Sequence, residues 1–176
     1  MVRLSIVLLM TLALIAPAAA ADTVKVGGLE LSGPWTRATP PKAPSAGGYL
    51  TIVNTGRDPE RLIGVASPMA GKADLHAMAM KDGVMTMRPV DGIDIPAGGT
   101  VALDPDGLHI MFTQLKGTLK QGGTMPVTLI FEKAGKVEVP LQVLSVGAKG
   151  PKGAMGGMDM GGMKAGSGDM KMDMGQ

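Results

Sequence analysis

The sequence predicts an all-β domain, a sandwich or barrel of short strands. Three observations carry this expectation. Short runs rich in Val, Ile, Leu and Thr recur along the chain, each long enough for a strand and too short for a helix. Turn-forming clusters of Gly, Pro, Asn and Asp separate them. No stretch between those clusters keeps a helical period.

The candidate strands follow from the punctuation. Residues 23–26 come first, and 35–38 follow the Gly33-Pro34 turn. Residues 48–53 run into the turn cluster Asn54-Thr55-Gly56-Arg57-Asp58-Pro59, and 61–66 leave it. Residues 73–80 and 84–90 flank Asp82-Gly83, a dipeptide that favours a two-residue hairpin. Residues 100–103 lie between Pro96-Ala97-Gly98-Gly99 and Asp104-Pro105-Asp106-Gly107, and 108–112 start beyond the latter. Residues 126–131 and 137–143 complete the domain after Gln121-Gly122-Gly123.

Both ends of the chain are of another kind. Met1-Val2-Arg3 is a short positive segment, the residues up to Pro17 are almost wholly apolar, and Ala18-Ala19-Ala20-Ala21 offers a small-residue cleavage site. Residues 1–21 are therefore expected to be a signal peptide cut after Ala21, or after Ala20. The apolar run is short of the ~20 residues that span a bilayer. Residues 22–146 form the expected domain. Residues 147–176 hold Gly, Met, Lys and Asp with no β-branched or aromatic side chain, and are expected to form a disordered tail.

Charge and composition exclude several function classes. Loss of residues 1–21 removes one Arg and leaves 16 basic against 15 acidic residues, a balance that argues against a nucleic-acid surface. Lys and Arg are scattered, so no polybasic membrane patch forms. The chain has no cysteine, which rules out a disulfide framework, thiol exchange and a blue-copper centre.

What the chain has instead is 16 methionines and two histidines. If Asp82-Gly83 are the central residues of a hairpin, Lys81 pairs with Val84, Met80 with Met85 and Met78 with Met87. Alternation then sets His76, Met78, Met80, Met85 and Met87 on one face, with Ala77, Ala79 and Thr86 on the other. His109 and Met111, two residues apart, also share a face. Thioether and imidazole donors without thiolate favour Cu(I). A Met on a β-face is more often core filler than ligand, and Met69 and Met125 are assigned to the core on that ground. For Met78, Met80 and Met85 both readings stand. His76 and His109, each followed by Met two positions on, are expected to be ligands.

The spacing from His76 across ten residues to Met87, then twenty-one residues to His109-x-Met111, resembles the copper-binding signature of the PCu(A)C family of periplasmic copper chaperones. Trp35-Thr36-Arg37-Ala38-Thr39-Pro40-Pro41, Gly48-Tyr49-Leu50-Thr51-Ile52-Val53-Asn54, Gly83-Val84-Met85-Thr86-Met87-Arg88-Pro89-Val90 and Gly107-Leu108-His109-Ile110-Met111 are similar to segments of that family. The likeness spans about residues 23–145. It implies a cupredoxin-like Greek-key β-sandwich and a surface-accessible Cu(I) site at His76, Met87, His109 and Met111. It further implies a non-enzymatic periplasmic role, copper delivery toward the copper-A centre of cytochrome c oxidase, through its subunit II or a Sco-type protein.

Two functional readings follow: a monomeric chaperone that hands on Cu(I) by ligand exchange, and a copper buffer for tolerance with no dedicated acceptor. Seven methionines fall in the last 22 residues, where they are expected to hold soft metal weakly. The tail has no histidine, which tells against Cu(II) there. Binding through neutral imidazole is expected to weaken as pH falls through about 6.5. No nucleic-acid partner and no membrane insertion are expected.

Overall fold

The computed structural model describes residues 23–81 and 84–151. Residues 1–22, 82–83 and 152–176 lie outside the described residues, and with them the expected signal peptide, the expected hairpin loop and most of the expected tail. Eleven strands make up the fold: β1 (Thr23–Val26), β2 (Leu29–Arg37), β3 (Ser45–Asn54), β4 (Glu60–Ala66), β5 (Ala70–Lys81), β6 (Val84–Pro89), β7 (Ile93–Ile95), β8 (Thr100–Leu103), β9 (Leu108–Leu115), β10 (Thr124–Phe131) and β11 (Gly135–Leu144). Among the described residues there is no helix. The all-β expectation therefore holds.

The strands form one hydrogen-bonded path, β6-β5-β9-β8-β3-β2-β11-β10-β4-β7, with β1 on β2 and a further β9–β3 pairing. Two pairings are parallel, β11 with β2 and β8 with β9, and the others are antiparallel. This open sheet wraps a single core built from Leu31, Ile52, Leu62, Leu75, Ile110, Phe112, Leu129, Val139 and Leu141 among others. Gly48 shows how near the layers come. A Cβ there would stand 2.7 Å from the Phe112 ring and 3.0 Å from Leu141, so only glycine leaves room for these two core side chains to meet over β3.

Two local expectations are corrected. Gly33-Pro34 was expected to be a turn, yet both residues lie inside β2, where the register to β3 shifts between Ser32 and Trp35. Gly33 takes φ +57°, which a bulge accommodates and a regular strand does not. The three-residue β7 has no counterpart among the expected strands. It is held by pairing with β4 and by the burial of Ile93 and Ile95, tertiary terms that so short a run does not advertise. Beyond β11 the chain stays against β2: Arg37 Nε donates to Ala148 O at 2.8 Å, and Pro151 reaches 3.4 Å from where a Gly33 Cβ would stand.

Candidate metal site

The site begins with a register. Lys81 is opposite Val84, Met80 opposite Met85 and Met78 opposite Met87, as a two-residue Asp82-Gly83 loop requires. One face of the β5–β6 hairpin thus carries Met78, Met80, Met85 and Met87, and the other carries Ala77, Ala79, Thr86 and Arg88. β5 also pairs with β9, and there His76 lies directly opposite His109. The two imidazoles are nearly parallel, 19° between planes, with centroids 5.9 Å apart.

His109 is 6% exposed and both its ring nitrogens are engaged. Nδ1 lies 3.1 Å from the Gly107 carbonyl, and Nε2 lies 3.2 Å from Met87 Sδ. A carbonyl only accepts, so the neutral ring carries its proton on Nδ1 and donates it there. Nε2 is left with a bare lone pair facing a thioether sulfur. Two soft-to-borderline donors thus converge with no proton between them. Such outer hydrogen bonding to the second nitrogen is how proteins orient metal-binding histidines. His76 adds a second donor: its Nδ1 is buried and has no hydrogen-bond partner, a costly state unless something binds it.

Met111 shares the face of His109, two positions along β9, and is half-buried. It stands opposite Asp74 on β5 and Gly47 on β3. Direct contacts join His76 to His109 and His109 to Met87, whereas register places Met111 next to them. Asp74 is the neighbouring carboxylate, and Lys72 pairs with it at 2.8 Å. Among the described residues no group of three His, Cys, Asp or Glu side chains is arranged to hold a metal.

Sequence reasoning missed two contributors. The Gly107 carbonyl fixes the His109 tautomer and also accepts from Met78 N at 3.1 Å, tying the hairpin to the loop before β9. Its only sequence signal is the Asp104-Pro105-Asp106-Gly107 turn, and a backbone acceptor leaves no mark in residue type. Across β3, Tyr49 covers Gly47, where a Cβ would strike its hydroxyl. Tyr49 packs on Trp35 at 4.5 Å, and the Arg37 guanidinium lies 5.7 Å from each ring. Burial pushes the Tyr49 phenol above its ordinary pKa, a shift that Arg37 opposes and Asp106 and Asp104 add to. The phenol stays protonated over Gly47, the β3 register partner of Met111.

Residues 29–143 match the family model described as "Putative lipoprotein LpqE-like". This chain belongs to that family. The "Putative lipoprotein Lxx21020" of Leifsonia xyli subsp. xyli is 34% identical over 129 residues, 72% of this chain and 76% of that one. Among solved structures, a copper-bound PCuAC domain from PmoF2 is 28% identical, covers 70% of this chain and 98% of its own, and superposes with a TM-score of 0.61. The solution structure of CuI-DR1885 from Deinococcus radiodurans is 32% identical over 72% of this chain and 83% of its own, with a TM-score of 0.50. The LpqE-like chain thus has the cupredoxin-like fold of PCuAC domains.

Proposed function

We propose that this LpqE-like protein is an exported, periplasmic copper chaperone, binding Cu(I) through His76, Met87, His109 and Met111. The observation that carries this reading is the pairing of His109 Nε2, freed of its proton by Gly107, with Met87 Sδ at 3.2 Å. The copper-bound PCuAC domain and CuI-DR1885 among its structural neighbours support it.

Transfer would proceed by exchange of ligands, with no bond of a substrate made or broken. His109 is buried and oriented, so it anchors the ion. Met87 is 46% exposed on an edge strand, so an incoming ligand can displace it first. The acceptor we assign is the copper-A site of cytochrome c oxidase subunit II, reached directly or through a Sco-type protein. The alternative, a buffer for tolerance, is favoured by the further exposed thioethers Met80 and Met85.

Cu(I) titration against a competing chelator tests the site. The full chain should show one tight equivalent that His76→Ala/His109→Ala removes. Either single substitution should weaken it by more than the ~10–100-fold typical of losing only an outer hydrogen-bond partner. Equal tight binding by the double variant would refute the assignment. Copper transfer to an isolated copper-A domain separates chaperone from buffer.

A further inference from the structure

The outer half of the β5–β6 hairpin needs a reason to exist. Met125 is fully buried and Met69 packs on the core, so those two methionines fill space as core methionines do. Met78, Met80, Met85 and Met87 belong to no part of that core. Met80 is 66% exposed and Met85 51%, and no residue of β6 is buried. β6 also ends the sheet path. Exposed apolar side chains on an edge strand invite aggregation, and folds ordinarily place charge or proline there. Packing explains none of these four side chains.

Their placement explains them better. Met80 and Met85 are direct cross-strand partners, as are Met78 and Met87, and all four share one face. Opposed Cβ atoms in such pairs are roughly 4.5–5.5 Å apart. Two sulfurs on one ion, at about 2.3 Å each, need a similar separation. The opposite face carries Ala77, Ala79, Thr86 and Arg88, so the sorting by face is complete. β5 pairs with β9 only as far as Ala77, so the Met80–Met85 end stands beyond the body. Along a strand, four residues separate Met80 from His76 by ~13 Å, too far for one ion to touch both rows.

We propose that Met80 and Met85, with Met78 beside them, form a second Cu(I) site of thioether sulfur alone, distinct from the His76–His109 site. It receives the ion at the exposed end of the hairpin. The Met78–Met87 pair stands midway, ~7 Å from either row, and passes the ion inward. The identity of the ion rests on the copper reading above, and soft monovalent cations are the class such a donor set selects.

The test is NMR of the full chain carrying 13C-methyl methionine, titrated with Ag(I) as a redox-inert soft monovalent probe. Individual Met→Leu substitutions assign the methyl signals and separate the hairpin from the tail. The first equivalent should move the Met87 and Met111 methyls, and a further equivalent those of Met80 and Met85. Met80→Leu/Met85→Leu should abolish the second event, leave the first unchanged, and slow Cu(I) loading from a chelated donor several-fold. In His76→Ala/His109→Ala the Met80 and Met85 methyls should still respond. Stationary Met80 and Met85 signals through three equivalents, with Met87 and Met111 responding, would overturn the second site and leave the first intact. Response at Met80 and Met85 with none at Met87 and Met111 would support the hairpin site while removing the four-residue site.

Discussion

The carbonyl of Gly107 receives two hydrogens, from Met78 N and His109 Nδ1, and so decides which imidazole nitrogen faces the sulfur of Met87. At the same scale, Glu60 holds the fold far from the site. Its carboxylate is 8% exposed, and it accepts from Arg61 N and Lys133 N on one oxygen and Ala134 N on the other. Burial by itself pushes the carboxyl up. The three backbone N–H donors and the Lys133 charge outweigh burial, so its pKa is lowered. A pKa lower in the folded than in the unfolded chain stabilises the fold above the ordinary carboxylate range. That stability is lost as pH falls through the lowered value. Glu60→Gln should lose about 1–3 kcal/mol at neutral pH, since an amide presents only one acceptor oxygen to the three donors. Chemical denaturation at neutral pH and at pH 3 should show the loss at neutral pH and a smaller difference in acid.

At the scale of the element, the β5–β6 hairpin is where pattern and structure agree most closely. The pairing of Lys81 with Val84 is the register expected from Asp82-Gly83 in the sequence, and the alternation on either side sorts thioethers from alanines without help from the rest of the fold. The hairpin depends on register more than on packing. Deleting Thr86 would leave Met85 opposite Met80 and carry Met87 to the other face. Cu(I) affinity should then fall as far as in Met87→Ala, with little change in melting temperature because β6 buries nothing. A large loss of melting temperature would show that β6 supports the core after all. Elsewhere the elements were less legible. Gly33-Pro34 has the composition of a turn, but pairing of Leu31 with Ile52 and Trp35 with Tyr49 on either side holds it as a bulge. β7 depends on its contacts with β4 and the core.

At the scale of the whole molecule, folding sets His76 against His109 on a rigid sheet, so an ion bound between them ties β5 to β9. A ligand that binds only the folded state stabilises it, by about 2.7 kcal/mol at a free concentration of 100 Kd. Anaerobic Cu(I) should therefore raise the melting temperature by several degrees, and His76→Ala/His109→Ala should remove most of the rise, since the hairpin thioethers join no strands of the core. An equal rise in that variant would place the stabilising ion elsewhere. The local pattern of the sequence was enough for the all-β class, the hairpin register and the faces on which donors lie, because strand alternation and a two-residue turn are short-range rules. Only the tertiary structure decided that β9 lies beside β5 with its histidine opposite His76. The core places of Met69 and Met125 were expected from residue type, whereas only the tertiary structure decided that Met80 and Met85, for which both readings stood, are surface, and which imidazole nitrogen is bare. Those outcomes depend on pairing between strands more than twenty residues apart and on a backbone carbonyl, neither of which residue type encodes.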